Sequence, residues 1–142
     1  MQFFGVHRIA LDDKNRMRIP NKFRAKLSDN FIICGGTDGC LFVLGEQEFN
    51  ALFTDKLNDL KLNEEEKQDA LRALASTMQV PEEDAQGRFI LQNNLKSYAN
   101  INKKMVFVGV LNRIEIWSEE AYEARWGQNK LDINSVVKLL QV

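Results

Sequence analysis

Apolar positions along the chain change their spacing in a set order. Residues 3–11 alternate loosely, with Phe3, His7, Ile9 and Leu11 set against Phe4, Val6, Arg8 and Ala10, which predicts a strand. A polar turn at residues 12–15 follows. Met17 and Ile19 then alternate with Arg16 and Arg18 in a short returning strand. Pro20 ends that strand because it offers no backbone N–H. Residues 21–27 are expected to form a short helix with Asn21 as its N-cap and Phe23 and Leu27 turned inward. The apolar runs 31–34 and 40–44 flank Gly35-Gly36-Thr37-Asp38-Gly39 and predict a hairpin. Phe49, Leu52 and Phe53 form one stripe of a helix over residues 46–57. Asn63 and Glu66 have the spacing of a capping box for a helix running to about Met78, with Pro81 beyond it.

The same order then returns. Residues 84–87 are a turn, 89–91 a strand and 93–99 a short helix. Residues 105–110 and 114–117 form a hairpin, Ser118 caps a helix carrying Tyr122 and Trp126, and a last amphipathic helix covers about residues 132–140. An offset of 72 lays Asp12 on Asp84, Arg16 on Arg88, Ile19 on Leu91, Phe23 on Leu95 and Arg24 on Lys96. An offset of 74 lays Gly35 on Gly109 and Asp38 on Asn112. One unit is written twice. Neither copy closes a sheet alone, so the expected fold is a β-rich α+β barrel of two intertwined repeats with peripheral helices. The expected organisation is a first repeat at 3–60, a linking helix at 61–80, a second repeat at 81–127 and a C-terminal helix at 128–142, the repeats forming one fold.

Both turns call for a left-handed residue at one place, filled by Asn15 in the first and Gly87 in the second. Asp12 with Arg16, and Asp84 with Arg88, are the pairs expected to fix these turns. For Arg88 that architectural reading is preferred.

At 142 residues the chain is long enough for a core without staples. No apolar run nears the ~20 residues of a membrane span, and the first residues lack a signal-peptide pattern. Cys34 and Cys40 read as buried thiols. These features lead to the expectation of a cytoplasmic protein.

Net charge is only −1, but its distribution is uneven. Residues 7–26 hold seven cations (Arg8, Lys14, Arg16, Arg18, Lys22, Arg24 and Lys26) against Asp12 and Asp13. Like charges clustered this way destabilise a fold unless an anion answers them, and a nucleic-acid backbone is such an anion. Arg16 and Arg18 share one strand face, and a two-stranded ribbon fits a major groove. Lys22 and Arg24 either extend the basic surface or form an ordinary solvated helix face; for Lys26 the second reading is preferred.

Enzyme chemistry has no constellation to work with. His7 is the one histidine, and no nucleophile set, metal-ligand cluster or phosphate loop is present in the sequence. No cofactor is expected. A different non-enzymatic reading is a protein-binding scaffold or antitoxin-like module acting through the acidic helix at residues 63–78.

The pattern Leu11-Asp12-Asp13-Lys14-Asn15-Arg16, Ile19-Pro20-Asn21-Lys22-Phe23-Arg24, Asp38-Gly39-Cys40-Leu41-Phe42-Val43, Asp84-Ala85-Gln86-Gly87-Arg88 and Asn112-Arg113-Ile114-Glu115-Ile116-Trp117 closely resembles the MraZ family over nearly the whole chain. That resemblance implies two AbrB-like repeats in a double-split β-barrel and homo-oligomeric rings of about eight or more subunits. It also implies a nucleoid-associated regulator that binds repeated promoter boxes of double-stranded DNA at the bacterial division and cell-wall gene cluster. By resemblance, Lys14 and Arg16 carry DNA binding. Two positions depart from the family pattern: Asn15 stands for a glycine and Gln92 for a proline.

Overall fold

The computed structural model describes residues 2–127 and 132–141. Alternation in the first run produces β1 (Phe3–Ala10), with Phe3 buried and Phe4, Val6 and Arg8 outward. The motif after it yields a short β2 (Met17–Arg18) and α1 (Asn21–Arg24). A hairpin follows, β3 (Phe31–Gly35) and β4 (Leu41–Gly45). Next come α2 (Glu46–Phe49), a π-helical turn over Asn50–Asp55, α3 (Lys56–Asp59) and the long α4 (Glu64–Thr77). The second copy supplies β5 (Arg88–Phe89), α5 (Asn93–Tyr98), β6 (Lys104–Leu111), β7 (Ile114–Ser118) and α6 (Glu119–Trp126), and α7 (Ile133–Leu139) ends the chain.

Five strands form one antiparallel sheet in the order β1-β6-β7-β4-β3, and β2 pairs with β5 in a separate ribbon. Interleaving of the repeats is therefore explicit: β1–β6, β4–β7 and β2–β5 all join one copy to the other. The strand after the first turn does not return along β1. It crosses to the second copy, where Met17 faces Phe89 and Arg18 faces Arg88. Met17 and Phe89 are 72 positions apart, so each meets its own repeat counterpart. Phe42 likewise faces Glu115, 73 positions on. A pseudo-twofold axis thus runs through both sheets.

The axis also corrects the offset. In the hairpins Gly35 faces Leu41 and Gly109 faces Ile114. The shift is 74 before the turn and 73 after it, because the second turn is one residue shorter. Where β1 crosses β6, Gly5 faces Gly109, and a Cβ on Gly109 would stand 2.3 Å from the Phe4 nitrogen. Only glycine fits there.

One face of the large sheet packs on the ribbon, α1 and α5 through Phe3, Met17, Ile19, Phe23, Phe89, Leu91 and Leu95. The other face carries Phe42, Leu44 and Trp117 beneath Phe49, Phe53, Leu74, Tyr122 and Trp126 of the outer helices. Cys34 and Cys40 lie within this outer layer, and burial pushes both thiols up to about 12.

Caps at Asn63 and Ser118 form as the sequence indicates. Asn63 Oδ1 accepts from Glu66 N–H at 2.8 Å and the Glu66 side chain answers the Asn63 N–H, while Ser118 Oγ accepts from Ala121 N–H. Asn21 is not an N-cap. Pro20 holds that position, and α1 is shorter than expected because the Lys26 and Leu27 N–H groups turn to carbonyls three residues back. The expected 46–57 helix is interrupted by the π turn. In α7, Ile133, Val137 and Leu139 are exposed, as is Leu140 at its C-cap, so the apolar face of the last helix is not buried within this chain. Residues 128–131 and 142 of the expected C-terminal unit lie outside the described residues.

Gln92, the departure from the family's proline, has a structural partner. Ile33 and Gln79 exchange backbone hydrogen bonds of 2.8 Å, which extends the sheet edge beyond β3. The buried Gln79 side chain then donates to the Ile90 carbonyl and accepts from the Gln92 N–H, both at 2.9 Å. A donor that proline would lack is thereby satisfied.

Candidate nucleic-acid interface

Each Asp-x-x-x-Arg loop is built around its carboxylate. Asp12 Oδ1 accepts the N–H groups of Lys14 at 2.9 Å and Arg16 at 2.8 Å, and Oδ2 accepts from Arg16 Nε at 2.8 Å. Asp84 does the same with Gln86 at 2.9 Å, Arg88 at 2.8 Å and Arg88 Nε at 2.9 Å. Backbone bonds close the loops alike, from Asn15 to Asp12 and from Gly87 to Asp84. Asn15 has φ 60° and Gly87 φ 78°, so the left-handed position coincides and asparagine fills the place of glycine without changing the turn. The backbone N–H of the arginine four residues on does most to hold both carboxyls below the usual aspartate range; burial opposes it, and the arginine side chain adds to the lowering.

Arg16 and Arg88 therefore do the same job within their turns. What differs is the flanking chemistry. Lys14 has Gln86 as its counterpart and Arg18 has Ile90. Lys14 and Arg18 are exposed, while Arg16 keeps 24 % of its side chain accessible with only Nε committed to Asp12.

Arg16 and Arg18 meet at a groove of about 400 Å³ beside the β2–β5 ribbon, lined by Ile9, Ala10, Asp12, Arg16, Met17, Arg18, Pro20, Asn21, Gln86 and Arg88. Three guanidinium groups face one carboxylate there. Arg18 Nη1 donates to the Gln86 carbonyl at 3.2 Å, which ties the ribbon to the second loop.

Lys22 and Arg24 do not line this groove. Lys22 Nζ lies 4.6 Å from the ring centre of exposed Phe4, with Lys26 Nζ at 5.2 Å on the same ring. Arg24 is committed to the fold: Nε and Nη2 donate to the Glu83 carboxylate at 3.0 and 2.9 Å, and Nη1 donates to the Leu27 carbonyl at 3.2 Å. Gln86 and Arg88 line the groove although neither stood among the expected DNA-binding residues. Their place follows from the β2–β5 pairing, whose signal in the sequence was the 72-residue offset that sets Met17 on Phe89.

No group of three or more His, Cys, Asp or Glu side chains that could hold a metal occurs among the described residues. His7 packs edge-on against Phe23 at 4.9 Å.

A family model described as "MraZ protein, putative antitoxin-like" matches residues 2–73 and again residues 74–135. The chain belongs to the MraZ family. Its two matched segments meet inside α4, between the two copies of the loop. Among MraZ relatives, the transcriptional regulator MraZ of Clostridium acetobutylicum is 40 % identical over 136 residues, 96 % of this chain and 94 % of that protein. That of Ligilactobacillus salivarius is 42 % identical over 122 residues, covering 86 % and 85 %. That of Caldicellulosiruptor saccharolyticus is 34 % identical over 137 residues, covering 96 % and 95 %. These MraZ relatives are named as regulators of transcription, not as enzymes. No helix among the described residues is long and apolar enough to cross a membrane.

Proposed function

We propose that this chain is a sequence-specific, DNA-binding transcriptional regulator whose first loop meets the duplex. The observation that carries this reading is the groove in which Arg16 and Arg18 converge beside exposed Lys14, outnumbering the acids around them. Lys14 and Arg18 serve as phosphate contacts, and the outer nitrogens of Arg16 are positioned for phosphate or guanine edges. Arg24 is left out of the contact set because its guanidinium already serves Glu83 and Leu27. Lys22 contributes long-range attraction only.

In this reading the five-stranded sheet and the β2–β5 ribbon are the two open portions of a double-split β-barrel. One loop makes few phosphate contacts, so several copies in a ring of about eight or more, meeting repeated promoter boxes, would raise avidity by ~10²–10⁴. The target boxes are those of the division and cell-wall gene cluster, and the protein resides on the nucleoid in the cytoplasm.

The test is binding of the purified protein to DNA upstream of its own gene, across a salt series, with its mass in solution measured alongside. Lys14→Ala is the clean variant, because the Lys14 contact seen in the fold is made by its backbone N–H. Weaker binding with a salt slope shallower by about one unit is expected. Unchanged affinity would refute the first-loop assignment, and a mass of one 16.4 kDa chain would refute the ring.

A second reading rests on the exposed Glu64, Glu65 and Glu66 at the start of α4, a ready surface for a basic protein partner. Stable capture of such a partner with no retention of DNA would favour it.

A further inference from the structure

We propose that the second loop forms the other wall of the same DNA groove, with Gln86 and Arg88 lying along the path of the duplex backbone. This rests on the first-loop reading above and extends it to a segment expected to be architectural.

The placement comes from the ribbon. Arg18 and Arg88 stand opposite each other in the β2–β5 register. Arg18 spans the gap, donating to the Gln86 carbonyl at 3.2 Å. A Cβ on Gly87 would stand 3.4 Å from Arg18 Cδ, so the second loop and the Arg18 stem are in van der Waals contact. Nothing separates the two loops at this point. An anion drawn to Arg16 and Arg18 therefore also lies beside Arg88, whose Nε alone is committed, to Asp84, while a third of its side chain stays accessible.

Two like charges in register normally repel. Arg18 against Arg88 has that arrangement with no carboxylate bridging the two: Asp84 serves Arg88, Arg18 donates only to a neutral carbonyl, and the Glu83 carboxylate, 3.7 Å from a Cβ on Gly87, is committed to Arg24. The pair is arranged to clamp an anion. A backbone phosphate supplies one, and its geometry suits two guanidinium groups approaching from opposite strands.

A replacement of Arg88 would also disturb the Asp84 turn, so Gln86 is the better probe. Its side chain is exposed, and the contacts seen for Gln86 are made by its backbone. Charge can thus be added at the second wall without altering either loop. With DNA from upstream of the gene, Gln86→Glu is expected to weaken binding several-fold. Gln86→Lys is expected to tighten it several-fold and steepen the salt slope by about one unit. Thermal unfolding of both variants should match that of the parent. Either substitution leaving affinity and slope unchanged, while Lys14→Ala in the same assay weakens binding, overturns the second wall and leaves the first-loop reading intact. If Lys14→Ala is also without effect, the first-loop reading itself has failed and this proposal falls with it.

Discussion

The side-chain oxygen of Gln79 accepts the backbone N–H of Gln92 at 2.9 Å, and the same amide donates to the Ile90 carbonyl. One buried side chain thereby holds β5 at its exit. Gln79→Ala leaves the part-buried Gln92 N–H and Ile90 carbonyl unanswered and should cost about 1–2 kcal/mol, read by urea or thermal unfolding. Gln92 has φ −58°, a value proline accepts, as Pro20 does at the counterpart position with φ −51°. Gln92→Pro placed on Gln79→Ala removes the orphaned donor and should recover about 1 kcal/mol. A double-mutant cycle with no coupling would contradict this account.

Arg24 and Glu83 tie the first repeat's short helix to the segment entering the second loop, with both side chains at least three-quarters buried. Glu83 holds the Arg24 guanidinium above its ordinary value, mainly through the side-chain hydrogen bonds. Arg24→Ala should lower stability by about 1–3 kcal/mol, since a charged hydrogen-bonded partner is left behind. The folded variant should bind DNA like the parent. A loss of DNA affinity with no change in unfolding would return Arg24 to the contact set.

The cross-repeat ladders predict how the chain behaves when cut. Residues 1–73 expressed alone lose the cross-repeat partners of β1, β2 and β4, and residues 74–142 lose those of β5, β6 and β7, leaving only the β3–β4 and β6–β7 hairpins paired. Each fragment alone should lack cooperative unfolding by circular dichroism, and mixing the two should restore it. A cooperative unfolding transition in either isolated half would show that the interleaving is dispensable.

The loop carboxylates give the fold a defined acid sensitivity. Asp12 and Asp84 titrate below the ordinary value of 3.8 in the folded chain. The unfolded chain therefore takes up these protons first as pH falls. The stability they contribute is present above that value and is lost as pH drops through the folded-state values. Asp84→Asn should be less stable at neutral pH and should show a flatter decline below pH 4. A parallel decline in parent and variant would place the acid sensitivity elsewhere.

Much of this architecture was readable from residues alone because the signals were local. Strand alternation, the Asn63 and Ser118 caps and the left-handed position shared by Asn15 and Gly87 depend on neighbours within a few positions. Partners distant in sequence were harder to read. Nothing around Met17 says that its strand leaves β1 for Phe89, since a two-residue strand carries too little pattern to choose a mate. The same limit hid the carboxylate partner of Arg24, which lies 59 positions away. The π turn at Asn50–Asp55 left no periodic trace distinct from an α-helix.

The axis between Met17 and Phe89 has one more consequence. Two identical chains on this frame would look the same to a duplex read in either direction. Within one polypeptide the two ends of the ribbon differ, with lysine against glutamine and arginine against isoleucine. A ligand laid across them meets a surface with a head and a tail, which, on the DNA-binding reading proposed above, suits tandem recognition sites that all point the same way better than palindromes.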